Sequence, residues 1–305
     1  MLDRATVLIE SPPYNPARSI RSANEAVTLS ITELSPADPR LLATAWLLIA
    51  LFIGGVSSWV TVWRQSCRQQ PWLDRCEEPR AAWTFLSERL ALLLACLWLG
   101  LHLASQFILA TKAKTPELSN AGLIQVAVVS GGTTLLLIAL LVGSGRLSAA
   151  DFGLKWQPLM SQLRDGWFGF KLAILPMAVT MALTTPLRTF DTQNPLLKLL
   201  ADDHEYVTLA LIVFVAAVIA PLSEEMIFRV ILQGSLSTVM PARLAIPIVA
   251  VAFSAVHGPV DGLALLPLAL VLGSVFQRRH SYVAVVVIHG LFNATMLALA
   301  LLSAR

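Results

Sequence analysis

The sequence has 305 residues, of which 56% are hydrophobic and 13% are charged, whereas an ordinary soluble domain has about 25% charged residues. Its 22 Lys and Arg and 19 Asp and Glu residues are too few to cover the surface of a water-soluble protein of this length, so the composition predicts an integral membrane protein. The net charge is only +3 and no dense basic segment is present, which argues against nucleic-acid binding.

The chain begins with a polar segment and continues as a series of apolar runs. Residues 1–40 are polar and rich in proline, and they predict a disordered N-terminal tail. Eight later runs approach the ~20 residues that a helix needs to cross ~30 Å of hydrocarbon. They cover residues 41–63, 90–110, 122–143, 167–187, 206–235, 244–257, 262–277 and 281–302. The sequence therefore predicts an all-α fold, a polytopic membrane helical bundle of about eight transmembrane helices.

The transmembrane part divides into two regions by the character of its polar residues. Residues 41–200 hold the first four spans and an arginine-rich loop over 64–89. Residues 151–166 mix apolar and polar side chains, which predicts a short interfacial helix before the fourth span. Residues 201–305 carry ionisable groups inside apolar runs, where charges are costly and commonly functional. We expect the chemistry of the protein in this second region.

The fifth run contains two adjacent glutamates and an arginine. Each charge inside a span costs about 2.5–3.5 kcal/mol on the insertion scale, so each needs a compensating role. Glu225 and Arg229 are four residues apart with the acid first, which predicts an ion pair on one helix face. Glu224 lies about 140° away from Arg229 around an ideal helix and has no local partner. It is therefore a candidate functional carboxylate; the alternative is a boundary residue in water just after Pro221.

The sixth and eighth runs each carry polar groups at helical spacing. Phe253 and His257 share one face of the sixth run, as do His289 and Asn293 in the eighth. The alternatives are a hydrogen-bonded core histidine for His257 and an interhelical packing pair for His289 and Asn293.

Together with Glu224, these side chains match acid/base chemistry. A carboxylate and the His257 imidazole converging on one water can remove its proton, while His289 and Asn293 can donate to an oxyanion. Glu224, His257 and His289 are also acceptable zinc ligands, although no HExxH motif is present. The residues themselves leave the role of zinc open.

Three motifs in this region resemble those of the CPBP or Abi group, the CAAX prenyl protease and bacteriocin-processing intramembrane proteases. They are EExxxR at 224–229 (EEMIFR), FxxxH at 253–257 (FSAVH) and HxxxN at 289–293 (HGLFN). They stand in order on successive spans, and the resemblance covers about residues 205–300. Val230 departs from the group, because many members have glycine after the arginine.

The resemblance implies a multi-pass peptidase similar to CAAX prenyl protease 2, with a membrane-embedded or lipidated peptide or protein as substrate. Eukaryotic members of the group remove the last three residues of prenylated CAAX proteins, whereas bacterial members are linked to bacteriocin self-immunity, peptide processing or regulatory cleavage. Glu224 and His257 would then activate water, and His289 with Asn293 would form the oxyanion hole. The supporting residues would be Glu225, Arg229 and Phe253.

A zinc-dependent and a metal-independent glutamate mechanism both suit this arrangement, and the zinc ligands would be Glu224, His257 and His289. For a bacterial protein the implied location is the inner or plasma membrane. Two alternative classes are a noncatalytic membrane immunity or scaffold protein that uses the same pocket for binding, and a transporter. Transporters of this size commonly have internal repeats, and none is evident here.

Overall fold

The fold is that of a computed structural model, which describes residues 39–75, 89–100, 119–143, 148–156, 158–187 and 205–303. Within these ranges the chain is helical and contains no β-strand. The predicted tail lies outside the described residues except for its last two positions, and so do residues 76–88 of the predicted arginine-rich loop.

Where the structure describes it, each predicted apolar run coincides with one helix, so the described ranges contain eight membrane-type helices. These are α1 (Pro39–Cys67), α2 (Arg89–Gly100), α3 (Asn120–Val142), α4 (Leu159–Thr184), α5 (Tyr206–Val239), α6 (Ala242–Ala255), α7 (Pro259–Arg279) and α8 (Tyr282–Ser303). Six are long and apolar enough to cross a membrane, whereas α6 and the described part of α2 are shorter. The chain is a multi-pass integral membrane protein with the predicted helical architecture.

The predicted interfacial helix over residues 151–166 was wrong. The structure has a single 3₁₀ turn at Ala149–Phe152, and α4 already begins at Leu159. The polar residues of this segment are accommodated inside the bundle, because Asp165 accepts from Arg279 Nε at 2.5 Å. Gln162 accepts from Ser281 at the start of α8. With these partners Gln162 and Asp165 are buried, although their neighbours Met160 and Trp167 are exposed.

Helix α4 packs against α1, α7 and α8. Small residues allow this close approach: a Cβ on Gly166 would lie 2.7 Å from Val287 Cγ1, and one on Gly169 would lie 2.4 Å from Ile288 Cδ1. The side chains of Ile288, Leu268 and Leu272 are completely buried in the resulting core. This packing fixes the position of α8, which carries two of the predicted site residues.

Helix α5 is irregular where the two glutamates occur. Its α-helical segment Ala220–Glu225 is flanked by π-helical segments at Val215–Ile219 and Met226–Gln233. Pro221 has no backbone N–H to donate to the preceding turn, which favours an interruption of the regular hydrogen bonds here. Single π-helical turns are frequent at functional sites. The sequence predicted a regular span over 206–235 and gave no indication of these π segments.

Candidate active site

Three of the predicted site residues meet at one point between α5, α6 and α8. Glu224 Oε2 lies 3.7 Å from Nε2 of His257, which follows the last turn of α6. The same oxygen lies 3.9 Å from Nε2 of His289 on α8. The Glu224 and His257 side chains are partly exposed, whereas His289 is buried. The structure thus brings a carboxylate and two imidazoles within reach of a single bridging water.

A hydrogen bond to the backbone fixes which ring nitrogen of His257 carries a proton. His257 Nδ1 lies 2.8 Å from the backbone carbonyl oxygen of Phe253, which can only accept, so this nitrogen donates. In the neutral ring, Nε2 then presents a lone pair towards Glu224. Glu224 Oε2 is itself buried and has no hydrogen-bond partner among the described residues. These acceptors are suited to a water molecule, which would donate its protons to them.

Glu225 makes the predicted ion pair and a second contact that was not predicted. Arg229 Nε donates to Glu225 Oε2 at 2.9 Å, and neither side chain is exposed. His289 Nδ1 donates to the other oxygen, Oε1, at 2.8 Å. The ion pair therefore extends into the candidate site and orients the His289 ring. No local sequence signal indicates this contact, because its partners are 64 residues apart.

Phe253 packs between the charged and the imidazole groups. Its ring centroid is 4.6 Å from that of His257 and 5.6 Å from that of His289. The Arg229 guanidinium carbon lies 5.2 Å from the Phe253 ring centroid, within the range of a cation–π contact. The FxxxH motif therefore supplies both a site histidine and the aromatic surface that holds it.

Asn293 contacts the backbone of α5 rather than the other site residues. Its Nδ2 donates to the carbonyl oxygen of Ala216 at 2.7 Å, in the first π segment. Ala220 N–H bonds to Val215 in the i to i+5 pattern, so the next donor in that pattern would be Pro221, which has none. Asn293 satisfies the carbonyl that this proline leaves without a backbone donor. Its second amide N–H is not needed for this bond.

Tyr282 contacts the backbone next to the site, although it lies outside the three sequence motifs. Its hydroxyl donates to the carbonyl oxygen of Leu222 at 2.6 Å, two residues before Glu224. The residue lies at the start of the eighth apolar run, where an aromatic side chain is commonly an interfacial anchor. Its side chain is instead almost completely buried.

The predicted zinc ligands do not form a ready-made metal site among the described residues. A catalytic zinc ion needs three protein ligands arranged around it with one open position. In the part of the chain that the structure describes, no group of three or more His, Cys, Asp or Glu side chains is arranged to hold a metal ion. Zinc binding stays a prediction from the residue types and the family resemblance.

Comparison with known protein families gives a match that covers the candidate site. Residues 206–295 match the family described as Type II CAAX prenyl endopeptidase Rce1-like. No curated protein and no solved structure shows significant similarity to the chain. The matched segment includes all three motifs, so the family resemblance drawn from them is confirmed for this region.

Proposed function

We propose that the chain is an intramembrane peptidase, a premise that follows from the match of residues 206–295 to the Rce1-like CAAX prenyl endopeptidases. The observation that carries the proposal is the convergence of Glu224 with His257 and His289 at 3.7 and 3.9 Å. The proposed substrate is a membrane-embedded or lipidated protein or peptide.

In the first step, a water molecule between Glu224 and His257 attacks the carbonyl carbon of the scissile peptide bond. Glu224 takes one proton from this water as general base, and His257 Nε2 accepts a hydrogen bond from its other proton. A tetrahedral intermediate forms as the carbonyl π bond breaks and its oxygen becomes negatively charged. Proton removal of this kind contributes typically about 10²- to 10⁴-fold to a rate.

We assign the stabilisation of this oxyanion to His289 and Asn293. His289 Nδ1 already donates to Glu225, so Nε2 can donate to the oxyanion when the ring is protonated. That imidazolium would balance the charges of the buried cluster, since Glu224 and Glu225 carry two negative charges and Arg229 carries one positive charge. The free N–H of the Asn293 amide is a second donor.

In the last step the C–N bond of the intermediate breaks and the oxyanion reverts to a carbonyl. The protonated Glu224 returns its proton to the departing amine, so that one water is consumed and the carboxylate is restored. The products are a new carboxyl terminus and a new amino terminus. Each of these steps uses side chains of this chain alone.

The test replaces Glu224 by glutamine, which keeps the size of the side chain and removes the base. The purified protein in proteoliposomes is given a farnesylated peptide with a CAAX terminus, and release of the last three residues is measured. We expect Glu224→Gln to lower kcat at least about 100-fold, in line with the loss of a general base. Tyr206→Phe is the matched control, because this side chain is 90% exposed and distant in sequence from the motifs.

Hydrolysis by Glu224→Gln at the wild-type rate would contradict the proposed mechanism. If the wild-type protein does not cleave this peptide, a second experiment identifies peptide termini by mass spectrometry. It compares the membrane peptides of cells that carry the wild-type protein with those of cells that carry Glu224→Gln. A cleaved terminus that requires Glu224 identifies the substrate and supports the peptidase. Identical termini, with both proteins inserted, would instead favour the noncatalytic immunity or scaffold role.

A further inference from the structure

The backbone just before Glu224 departs from regular helical hydrogen bonding. The Met226 N–H is shared between the carbonyl oxygens of Leu222 and Ser223, at the point where the α-helical segment gives way to the second π segment. A shared hydrogen bond is weaker for each acceptor than a single one. Pro221, next to Leu222, donates no backbone hydrogen bond. A donor from outside the helix to one of these carbonyl oxygens therefore adds a constraint on the backbone at this point.

The Glu224 side chain itself adds little constraint. Its Oε2 has no hydrogen-bond partner among the described residues, and the nearest imidazole nitrogens are 3.7 and 3.9 Å away. Glu225, by contrast, is held through both oxygens. The direction of the Glu224 carboxylate consequently depends on the backbone that carries it.

Tyr282 contacts that backbone directly. Its hydroxyl donates to Leu222 O at 2.6 Å, and only 8% of its side chain is exposed. It lies seven residues, about two helical turns, before His289, so both side chains project from one face of α8. The same helix face therefore holds α5 twice around Glu224, through the Leu222 carbonyl and through the Glu225 carboxylate.

We propose that Tyr282 is a positioning residue, which fixes the α5 backbone so that the Glu224 carboxylate is directed at the attacking water. The inference rests on the proposed function of Glu224 as general base. Tyr282 itself touches no reacting atom in this scheme. Its hydroxyl acts through the Leu222 carbonyl, and the rest of its ring serves only to pack.

The test uses Tyr282→Phe, which removes the hydroxyl and keeps the ring. With the farnesylated CAAX peptide as substrate, we expect kcat to fall about tenfold and KM to change less than about twofold, because the defect lies in aiming the base. A tenfold effect corresponds to the loss of one hydrogen bond of ordinary strength. Hydrogen exchange of the backbone amides over residues 220–226 should become faster by about the same factor.

Thr180→Val is the matched control, because Thr180 makes a comparable interhelical bond to a carbonyl away from the site. Its hydroxyl lies 2.9 Å from Ala264 O and joins α4 to α7. We expect this variant to keep the wild-type kcat. An equal loss of kcat in Thr180→Val and Tyr282→Phe would show a general stability effect and overturn the inference. Wild-type kcat in Tyr282→Phe would overturn it as well.

Failure of this inference is distinguishable from failure of the proposed function. If Glu224→Gln loses hydrolysis while Tyr282→Phe retains it, only the role of Tyr282 is refuted. If Glu224→Gln retains hydrolysis, the general-base role fails, and the positioning role that depends on it fails too. Loss of hydrolysis in Glu224→Gln with a tenfold lower kcat in Tyr282→Phe supports both.

Discussion

Glu224 and Glu225 are adjacent in the sequence, yet they occupy opposite environments. Successive residues of a helix point about 100° apart, so the two carboxylates approach His289 from different sides, Glu225 at Nδ1 and Glu224 at Nε2. Glu225 is completely buried and bonded through both oxygens, whereas Glu224 faces two imidazoles with an oxygen that lacks a hydrogen-bond donor among the described residues. One carboxylate is therefore held by the protein, and the other is available to a water or a substrate.

Removal of Arg229 should destabilise the protein strongly. Arg229→Met would leave the Glu225 charge buried without its cation, which costs about 3–5 kcal/mol for a broken buried pair. We expect a large fall in the midpoint of thermal unfolding in detergent. The double variant Glu225→Gln with Arg229→Met should recover part of this loss, because neither charge remains. Additive effects of the two substitutions would contradict this account of the pair.

The sequence predicted the ion pair but could not predict the contact between Glu225 and His289. The first follows from the four-residue spacing of a helix, which is a local property. The second depends on how α8 packs against α5, and it joins residues 64 positions apart. The same distinction applies to Asn293 and Tyr282, whose partners are backbone carbonyls and therefore leave no side-chain pattern in the sequence.

At the scale of helices, the contact between α5 and α8 depends on a glycine. A Cβ on Gly290 would lie only 2.7 Å from the carbonyl oxygen of Ala217. The two backbones are thus close together beside His289 and Asn293. This approach allows side chains of α8 to reach the carbonyl oxygens of α5.

Gly290→Ala should consequently separate the two helices. We expect a loss of about 1–3 kcal/mol in stability, typical of an overpacked site, and a fall in hydrolysis, because the two halves of the site move apart. Thermal unfolding and peptide cleavage measure these effects. Gly131→Ala in α3 is the control, since a Cβ there meets no atom within 4 Å. A Gly290→Ala protein as stable and active as Gly131→Ala would refute the role of this contact.

The helices were predictable from the sequence, but their irregularities were not. Runs of about 20 apolar residues report length and burial in lipid, and each run forms a helix over the residues that the structure describes. They carry no information on the π segments, which lie on both sides of the turn that contains Pro221 and receives a hydrogen bond from α8. The start of α4 was misjudged for a related reason, because the partners that neutralise Asp165 come from α7.

At the scale of the molecule, the helices differ in how much of their surface the protein covers. In the most apolar stretch of α7, 50% of the residues are buried, whereas the corresponding shares in α1 and α3 are only 11% and 17%. Large apolar side chains such as Leu135 and Phe52 are exposed on these two helices. In a membrane protein such surfaces face lipid acyl chains. Helices α1 and α3 therefore form part of the boundary with the bilayer.

A charge on this boundary should impair insertion without affecting the site directly. Leu135→Asp would expose a carboxylate to hydrocarbon at a cost of about 2.5–3.5 kcal/mol, and we expect less protein in carbonate-washed membranes. Leu135→Ala should leave the yield unchanged, because the side chain is 69% exposed. Normal insertion of Leu135→Asp would contradict the assignment of this face to lipid.

The shortness of α6 has a consequence for the surrounding bilayer. Its 14 residues extend about 21 Å, some 9 Å less than the ~30 Å hydrocarbon thickness. Leu244, Ile248 and Val251 form an exposed stripe along it, so acyl chains contact this short helix directly. The bilayer beside α6 must become thinner to match this helix, at a free-energy cost that grows with each ångström of mismatch. Membrane thickness thereby becomes a variable that acts on the helix whose end carries His257, and shorter acyl chains should favour its present position.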